Sequence, residues 1–403
     1  MPQQTTNPQE TIDQLEALTR CDEYLQFAVK VIEQSNLPES VGIEMQQQIK
    51  RIEQRRTDPN LYLAVVGEFS SGKSTFINAL LRDDLLKTST LVATAAATRL
   101  RYGNDLKVEV RYQGRRPGTF KTNSQSDHIT IPWWPAIHRI NNRQFIQAVT
   151  SKDEVVKYVV DVTISHPSSF LANSIVIIDT PGANAINPQH EAITRQVIEN
   201  EADLVIIVVP ATIPLSQSLS NFLSSSLRPF LHRCIFVVTR MDQIRVQEQS
   251  ELLNTLRRRL VDQLGIKTAM LCACSAQVLL DDLSDKETVP ENLQVWKERF
   301  TQLEQIIINH LRRERLVSIA ENLLRLLTLL FEQLESHLRS QREKIDTYVT
   351  WYKSVAETSC DDQKTELPRL LKLQESTQAN LLEIERQRKS LSAQQQRLAE
   401  KSI

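Results

Sequence analysis

LYLAVVGEFSSGKSTFINALL, residues 61–81, is the stretch on which the reading of this chain turns. Leu61 to Val66 is an apolar run of one strand's length. GEFSSGKS, Gly67 to Ser74, then matches GxxxxGK[ST], and TFINALL continues as a helix. Strand, glycine-bounded loop and helix in this order are the context the pattern requires. In such a loop the backbone N–H groups of residues 68 to 74 turn inward toward phosphate oxygens, and the positive end of the following helix adds to them. Gly67 and Gly72 permit the backbone path. The candidate phosphate-binding residues are therefore Gly67, Glu68, Phe69, Ser70, Ser71, Gly72, Lys73, Ser74 and Thr75. Lys73 suits β- and γ-phosphate oxygens, and the Ser74 hydroxyl suits Mg²⁺.

Further apolar runs follow at 174–179, 204–209, 234–239 and 269–274, with helical segments between most of them. They are continuous rather than alternating, so both faces are covered; that pattern belongs to a mostly parallel, doubly wound α/β sheet. Half-buried strands at 98–102, 106–112 and 156–165 extend the sheet on one side. On both flanks the apolar spacing becomes helical: Thr11 to Ser35, a second helix carrying Val41, Met45, Ile49 and Ile52, then Leu316 to Ser354 and Pro368 to the end. The expected organisation is N-terminal helices over 1–58, the α/β domain over 59–290 and long C-terminal helices over 291–403, the flanking helices packing as a bundle.

Composition excludes several classes. Forty-eight basic residues against 49 acidic ones give a net charge of −1, without the basic field that non-specific nucleic-acid binding needs. The five cysteines show no zinc spacing. The charge-free stretch Leu204 to Leu227 contains Pro210 and Pro214, unlike a membrane span, and the N-terminus shows no leader pattern. A cytoplasmic protein, peripheral at most to the inner face of a membrane, is the expectation.

Three more motifs end strands. Asp179-Thr180-Pro181-Gly182 fits DxxG: the carboxylate can hold Mg²⁺ through water, and the Gly182 amide can approach a γ-phosphate. Thr239-Arg240-Met241-Asp242 resembles [NT]KxD, in which a carboxylate at Asp242 accepts from guanine N1 and N2 together; adenine offers no such donor pair. Arg240 stands where lysine is usual, and its planar guanidinium can stack beside the base. Ser275-Ala276, after Cys274, resembles the backbone-donating SA motif. Any one of these could be accidental, but four in this order read as a GTPase binding GTP or GDP with Mg²⁺. Thr88, Thr90, Thr94 and Thr98 are the candidates for a switch hydroxyl, and spacing does not choose among them.

GEFSSGKSTFINALL, TRLRYG, IVIIDTPGANAINPQH and TRMD, with helices on both flanks, resemble the dynamin superfamily in its bacterial branch. The resemblance aligns Thr94 with the Mg²⁺-binding threonine of the pattern PTTAxxTxLRYG; the Pro and first Thr of that pattern are Val92 and Ala93 here. It implies a catalytic Ser70, Lys73 and Thr94, metal ligands Ser74, Thr94 and Asp179, and hydrolysis stimulated when two GTPase domains form a homodimer. It further implies a helical neck that moves with the nucleotide state to remodel membranes. Phe69 departs from the family, because eukaryotic dynamins carry there a Gln that organises the attacking water. The alternative is a weakly hydrolysing scaffold acting through its C-terminal helices. Further partners would be a second dynamin-like chain or a peripheral membrane contact, with no nucleic acid.

The remaining features each have a plainer alternative. Trp133-Trp134 and Asn184 suit contact surfaces but equally a domain's own core and a polar loop. Arg257 to Arg259 and Arg312, Arg313 and Arg315 suit anionic head groups or solvated helix faces. The leucine stripe from Leu323 to Leu338 reads as bundle core. Arg99 is one switch-region arginine available as a finger, although no spacing singles it out.

Overall fold

Leu61–Gly67 (β1) is flanked on both sides by parallel strands because its side chains have buried neighbours above and below. The computed structural model describes residues 8–35, 37–86, 97–112, 120–121, 128–129, 138–140, 159–182, 188–266, 269–283, 290, 293–355 and 361–401. The remaining strands are β2 (Thr98–Tyr102), β3 (Lys107–Tyr112), β4 (Phe120–Lys121), β5 (His128–Ile129), β6 (His138–Ile140), β7 (Val159–His166), β8 (Ile175–Asp179), β9 (Leu204–Pro210), β10 (Cys234–Thr239) and β11 (Met270–Ala273). Among the described residues nine of them form one sheet in the order β11-β10-β9-β1-β8-β2-β7-β3-β6, while β4 and β5 pair separately.

From β11 to β8 the sheet is parallel. At β8 the direction reverses: β2 runs antiparallel to it, with Thr98 opposite Asp179. The helices are α1 (Pro8–Gln34), α2 (Glu39–Thr57), α3 (Lys73–Leu81), α4 (Pro188–Asn200), α5 (Gln217–Ser225), α6 (Val246–Leu264), α7 (Ala276–Leu283), α8 (Gln294–Val355) and α9 (Asp361–Lys401).

The chain divides into two compact units, Pro59–Arg315 and the remainder, residues up to Asp58 together with those from Leu316. In the sheet unit the pleat separates two cores. Leu61, Leu63 and Val65 pack with Phe76, Ile77, Leu80 and Phe300, whereas Ala64 and Val66 pack with Leu219, Phe222, Leu223, Leu256 and Leu260. Each such buried valine, leucine, isoleucine or phenylalanine contributes about 1.5–3 kcal/mol. These faces explain why the strand sequences are apolar without alternation.

The long helix α8 begins at Gln294, well before Leu316 where its leucine stripe starts. Phe300, Leu303, Ile307 and Leu311 are buried in the sheet unit's core, so that unit extends to Arg315 rather than stopping near residue 290. Phe300 lies against Phe76 at 5.8 Å between ring centres, and Arg82, just after α3, donates to Glu304 Oε2 at 2.5 Å. The connection out of α3 is fixed by fully buried Asn78. Its amide donates to the Leu86 carbonyl at 2.8 Å and to Asp84 at 2.9 Å, and it accepts from the Leu86 N–H at 2.8 Å.

The helical unit is a bundle core. Leu323, Leu324, Leu327, Leu330, Phe331, Leu334 and Leu338 pack with Tyr24, Leu25, Ala28, Met45, Ile52, Leu381, Ile384 and Leu391. Phe331 meets Tyr24 and Phe27 edge-on, at 6.3 and 5.9 Å. Tyr24 donates its hydroxyl to Ser390 Oγ at 2.8 Å, and buried Glu335 accepts from Arg339 at 2.7 Å and pairs with Arg388 at 3.0 Å. The last helix starts at Asp361, which leaves Pro368 inside it rather than at its first turn. The proline removes one backbone hydrogen bond, and the buried face from Leu381 to Leu391 holds the helix despite that loss.

Candidate functional site

The site is built at the C-terminal ends of the parallel strands, where loops leave the sheet beside helix N-termini. Gly67 ends β1, residues 68–72 form the loop, and Lys73 opens α3. Gly72, at φ +94°, turns the chain into the helix through a conformation that disfavours a side chain. Ser70 adopts the left-handed region as well, at φ 59°. The free N–H groups of the first turn of α3, at Lys73, Ser74 and Thr75, face the loop's hollow by helix geometry.

Lys73 is half-buried. Its ammonium donates to the carbonyls of Gly67 and Glu68, both at 2.9 Å. Burial pushes its pKa down, while Asp179 and Glu68 pull it back up. Asp179, at the end of the neighbouring strand β8, has the reciprocal problem: burial raises its pKa to about 6 against the opposing charge of Lys73. Its Oδ1 is sealed from solvent and finds no hydrogen-bond partner among the described residues. A buried carboxylate oxygen without a donor suits a hard cation or its water, and with the Ser74 hydroxyl it makes an oxygen set of the type Mg²⁺ takes.

After Asp179 the chain passes directly under the loop. Thr180 donates to the Val65 carbonyl at 2.9 Å, and Thr194 from α4 holds the Pro181 carbonyl at 3.1 Å. A Cβ placed on Gly182 would lie 3.2 Å from the Phe69 nitrogen and 3.6 Å from Lys73 Nζ, so a side chain there would crowd the phosphate loop.

From the other side, β10 ends in Thr239, whose hydroxyl donates to the Ser71 carbonyl at 2.8 Å; the Arg240 guanidinium donates to the Ser70 carbonyl at 2.7 Å. Asp242 follows in a short turn, Met241–Gln243. Gln249 of α6 steadies that turn, donating to the Met241 and Ile244 carbonyls at 3.2 and 3.0 Å, a role nothing in its sequence context signals. The Cys274 N–H donates to the Val238 carbonyl at 2.8 Å, and the Met241 N–H to the Cys274 carbonyl at 3.3 Å, which brings Ser275 and Ala276 beside the Asp242 turn. Burial pushes the Cys274 thiol up, with Cys272 and then Asp242 adding to it.

All four motifs thus lie at one edge of the sheet, and every predicted site residue except Thr94 has a place there. Thr88, Thr90 and Thr94 lie outside the described residues, as do Asn184 and Trp133-Trp134. Arg99 is committed to acidic neighbours, donating to both Glu201 oxygens, at 2.8 and 2.6 Å, and to Asp161. Arg257, Arg258 and Arg259 are exposed on α6, consistent with a solvated face. Among the described residues no helix is long and apolar enough to cross a membrane.

Comparison with known proteins finds likeness to the family that the sequence resembles. Residues 63–241 match the dynamin family. The chain is similar to Dynamin-like protein 1 of Campylobacter jejuni, 26% identical over an alignment of 260 residues that covers 57% of this chain and 35% of that protein. It is also similar to a bacterial dynamin-like protein of Nostoc punctiforme, 27% identical over 225 residues, 55% of this chain and 31% of the other. The chain therefore matches about a third of the length of these two relatives. A solved structure of an oligomerised bacterial dynamin pair shares the fold, with a TM-score of 0.50 at 20% identity over 99% of this chain and 55% of that one. The stretch 63–241, somewhat less than half of the chain, is thus what is similar to the dynamin family.

Proposed function

We propose that this chain binds GTP with Mg²⁺ and hydrolyses it, and that pairing of two GTPase domains couples turnover to movement of the helical unit in membrane remodelling. One observation carries the reading. Half-buried Lys73 and Asp179 stand at the foot of a loop whose carbonyls are held by Thr239 and Arg240 of the base-reading motif. Phosphate and base recognition are thereby built on one piece of backbone.

In this reading the N–H groups of residues 68 to 75 and the Lys73 ammonium hold the phosphates, Ser70 acts at the reacting end, and Asp242 with Ser275 and Ala276 selects guanine. Ser74, Asp179 and Thr94 would hold the metal, which when bound bridges phosphate oxygens and neutralises developing charge. The solved bacterial dynamin pair, described as oligomerised and as a mechanism for sensing and tethering membranes, supports self-association or a second dynamin-like chain as partner and a peripheral place at a membrane.

The test is GTP turnover per molecule across a wide range of protein concentration, with and without anionic liposomes, using Lys73→Ala as the blank. Specific activity that rises with concentration supports the mechanoenzyme. A flat, near-blank profile with intact GTP binding favours the second reading, a nucleotide-gated scaffold. Phe69 is the observation behind that reading: its backbone lies against Gly182, and its apolar side chain cannot hold a water by hydrogen bond.

A further inference from the structure

Most buried hydroxyls around the site have partners. Thr180, Thr194 and Thr239 each donate to a backbone carbonyl. Among the described residues of the sheet unit, three buried hydroxyls find none: Ser71, Ser275 and Thr98. The first two belong to the phosphate loop and the guanine motif, where a ligand would satisfy them. Thr98 belongs to neither, yet it is fully buried.

Its place in the sheet supplies the explanation. Thr98 opens β2 and stands directly opposite Asp179 in the antiparallel pair with β8. Residues opposite each other in such a pair project to the same face, within reach of one another's side chains. That face is the one carrying α3, because Leu100 and Ile177, two positions along from Thr98 and Asp179, join Phe76 and Ile77 in the same core. The other sealed oxygen here without a hydrogen-bond partner among the described residues is Asp179 Oδ1. A valine would fill the position and suit a strand equally well without burying an unpaired hydroxyl.

We infer that Thr98 is a positioning residue of the metal–nucleotide site: its hydroxyl serves the Asp179 carboxylate and the water that this carboxylate holds for the cation. The inference rests on the GTP and Mg²⁺ reading above. It assigns Thr98 a role that is separate from that of Thr94, whose place was given by resemblance alone.

The experiment compares wild type, Thr98→Val, Thr98→Ser and Lys73→Ala by titration with a fluorescent, non-hydrolysable GTP analogue, once with MgCl₂ and once with EDTA. Thr98→Val is expected to lose about tenfold in affinity with Mg²⁺ and nothing in EDTA. Thr98→Ser keeps the wild-type value in both. Because Val leaves no hydroxyl buried, nucleotide-free Thr98→Val should also melt no lower than wild type. A Thr98→Val protein with the full wild-type gain from Mg²⁺ overturns the inference while leaving the GTP reading intact. Wild type that binds no better than Lys73→Ala overturns the GTP reading, and the inference with it. Should Thr98→Val fail to fold, Thr98→Ala carries the same comparison.

Discussion

Arg240 donates to the carbonyl of Ser70 across 2.7 Å, so the residue that replaces the usual lysine of the base-reading motif holds the phosphate loop at its left-handed turn. Arg240→Ala removes a charge-assisted bond, and GTP affinity should fall about tenfold. Arg240→Lys, which offers a donor but not the planar fork, should recover part of it. Titration with a fluorescent nucleotide distinguishes the three proteins.

Asn78 leads to a second expectation. Its side chain satisfies both the N–H and the carbonyl of Leu86 inside the protein. Asn78→Ala leaves both groups buried without that partner and should cost about 2–3 kcal/mol, read as a lower urea midpoint. Asn78→Asp can still accept from Leu86 but has no N–H to donate, and should not restore the lost stability.

The pH dependence follows from Glu304. Burial raises its pKa from 4.5 to about 7, with Arg82 pulling the other way. A carboxyl group raised in the folded state holds a proton that the unfolded chain releases near pH 4.3. Stability should therefore decline as pH rises from about 4.5 to about 7, by about 1 kcal/mol after allowance for the water that reaches the group. Glu304→Gln keeps an acceptor for Arg82 and removes the titration. Melting temperatures of the two proteins across this range should converge at the acid end and separate toward neutrality, with the variant no less stable.

Phe331 tests the helical unit. It is fully buried and meets two aromatic rings edge-on. Phe331→Ala should cost about 3–5 kcal/mol, and Phe331→Leu distinctly less, because leucine refills part of the space. Chemical denaturation followed by far-UV circular dichroism measures both.

The parallel half of the sheet was legible because Leu61 to Val66, Leu204 to Val209 and Cys234 to Val238 are covered on both faces and show it in composition. The motifs were legible because each ends a strand. The start of α8 was not, since QVWKERFTQLEQ is largely polar and no glycine or proline marks where the helix leaves one core for the next. Arg99 looked available until the fold brought Glu201, 102 positions away, against it. Thr98 could not be told from three neighbouring threonines in sequence, because only strand register sets it opposite Asp179.

Lys73 is bonded to the carbonyls of Gly67 and Glu68, the residues that open the loop. The two bonds tie the head of α3 back to the end of β1. The loop is therefore braced from within by a side chain of the very helix it leads into, so its curvature is set by the fold and does not depend on contacts from outside it. Substitution at Lys73 removes that brace along with the charge.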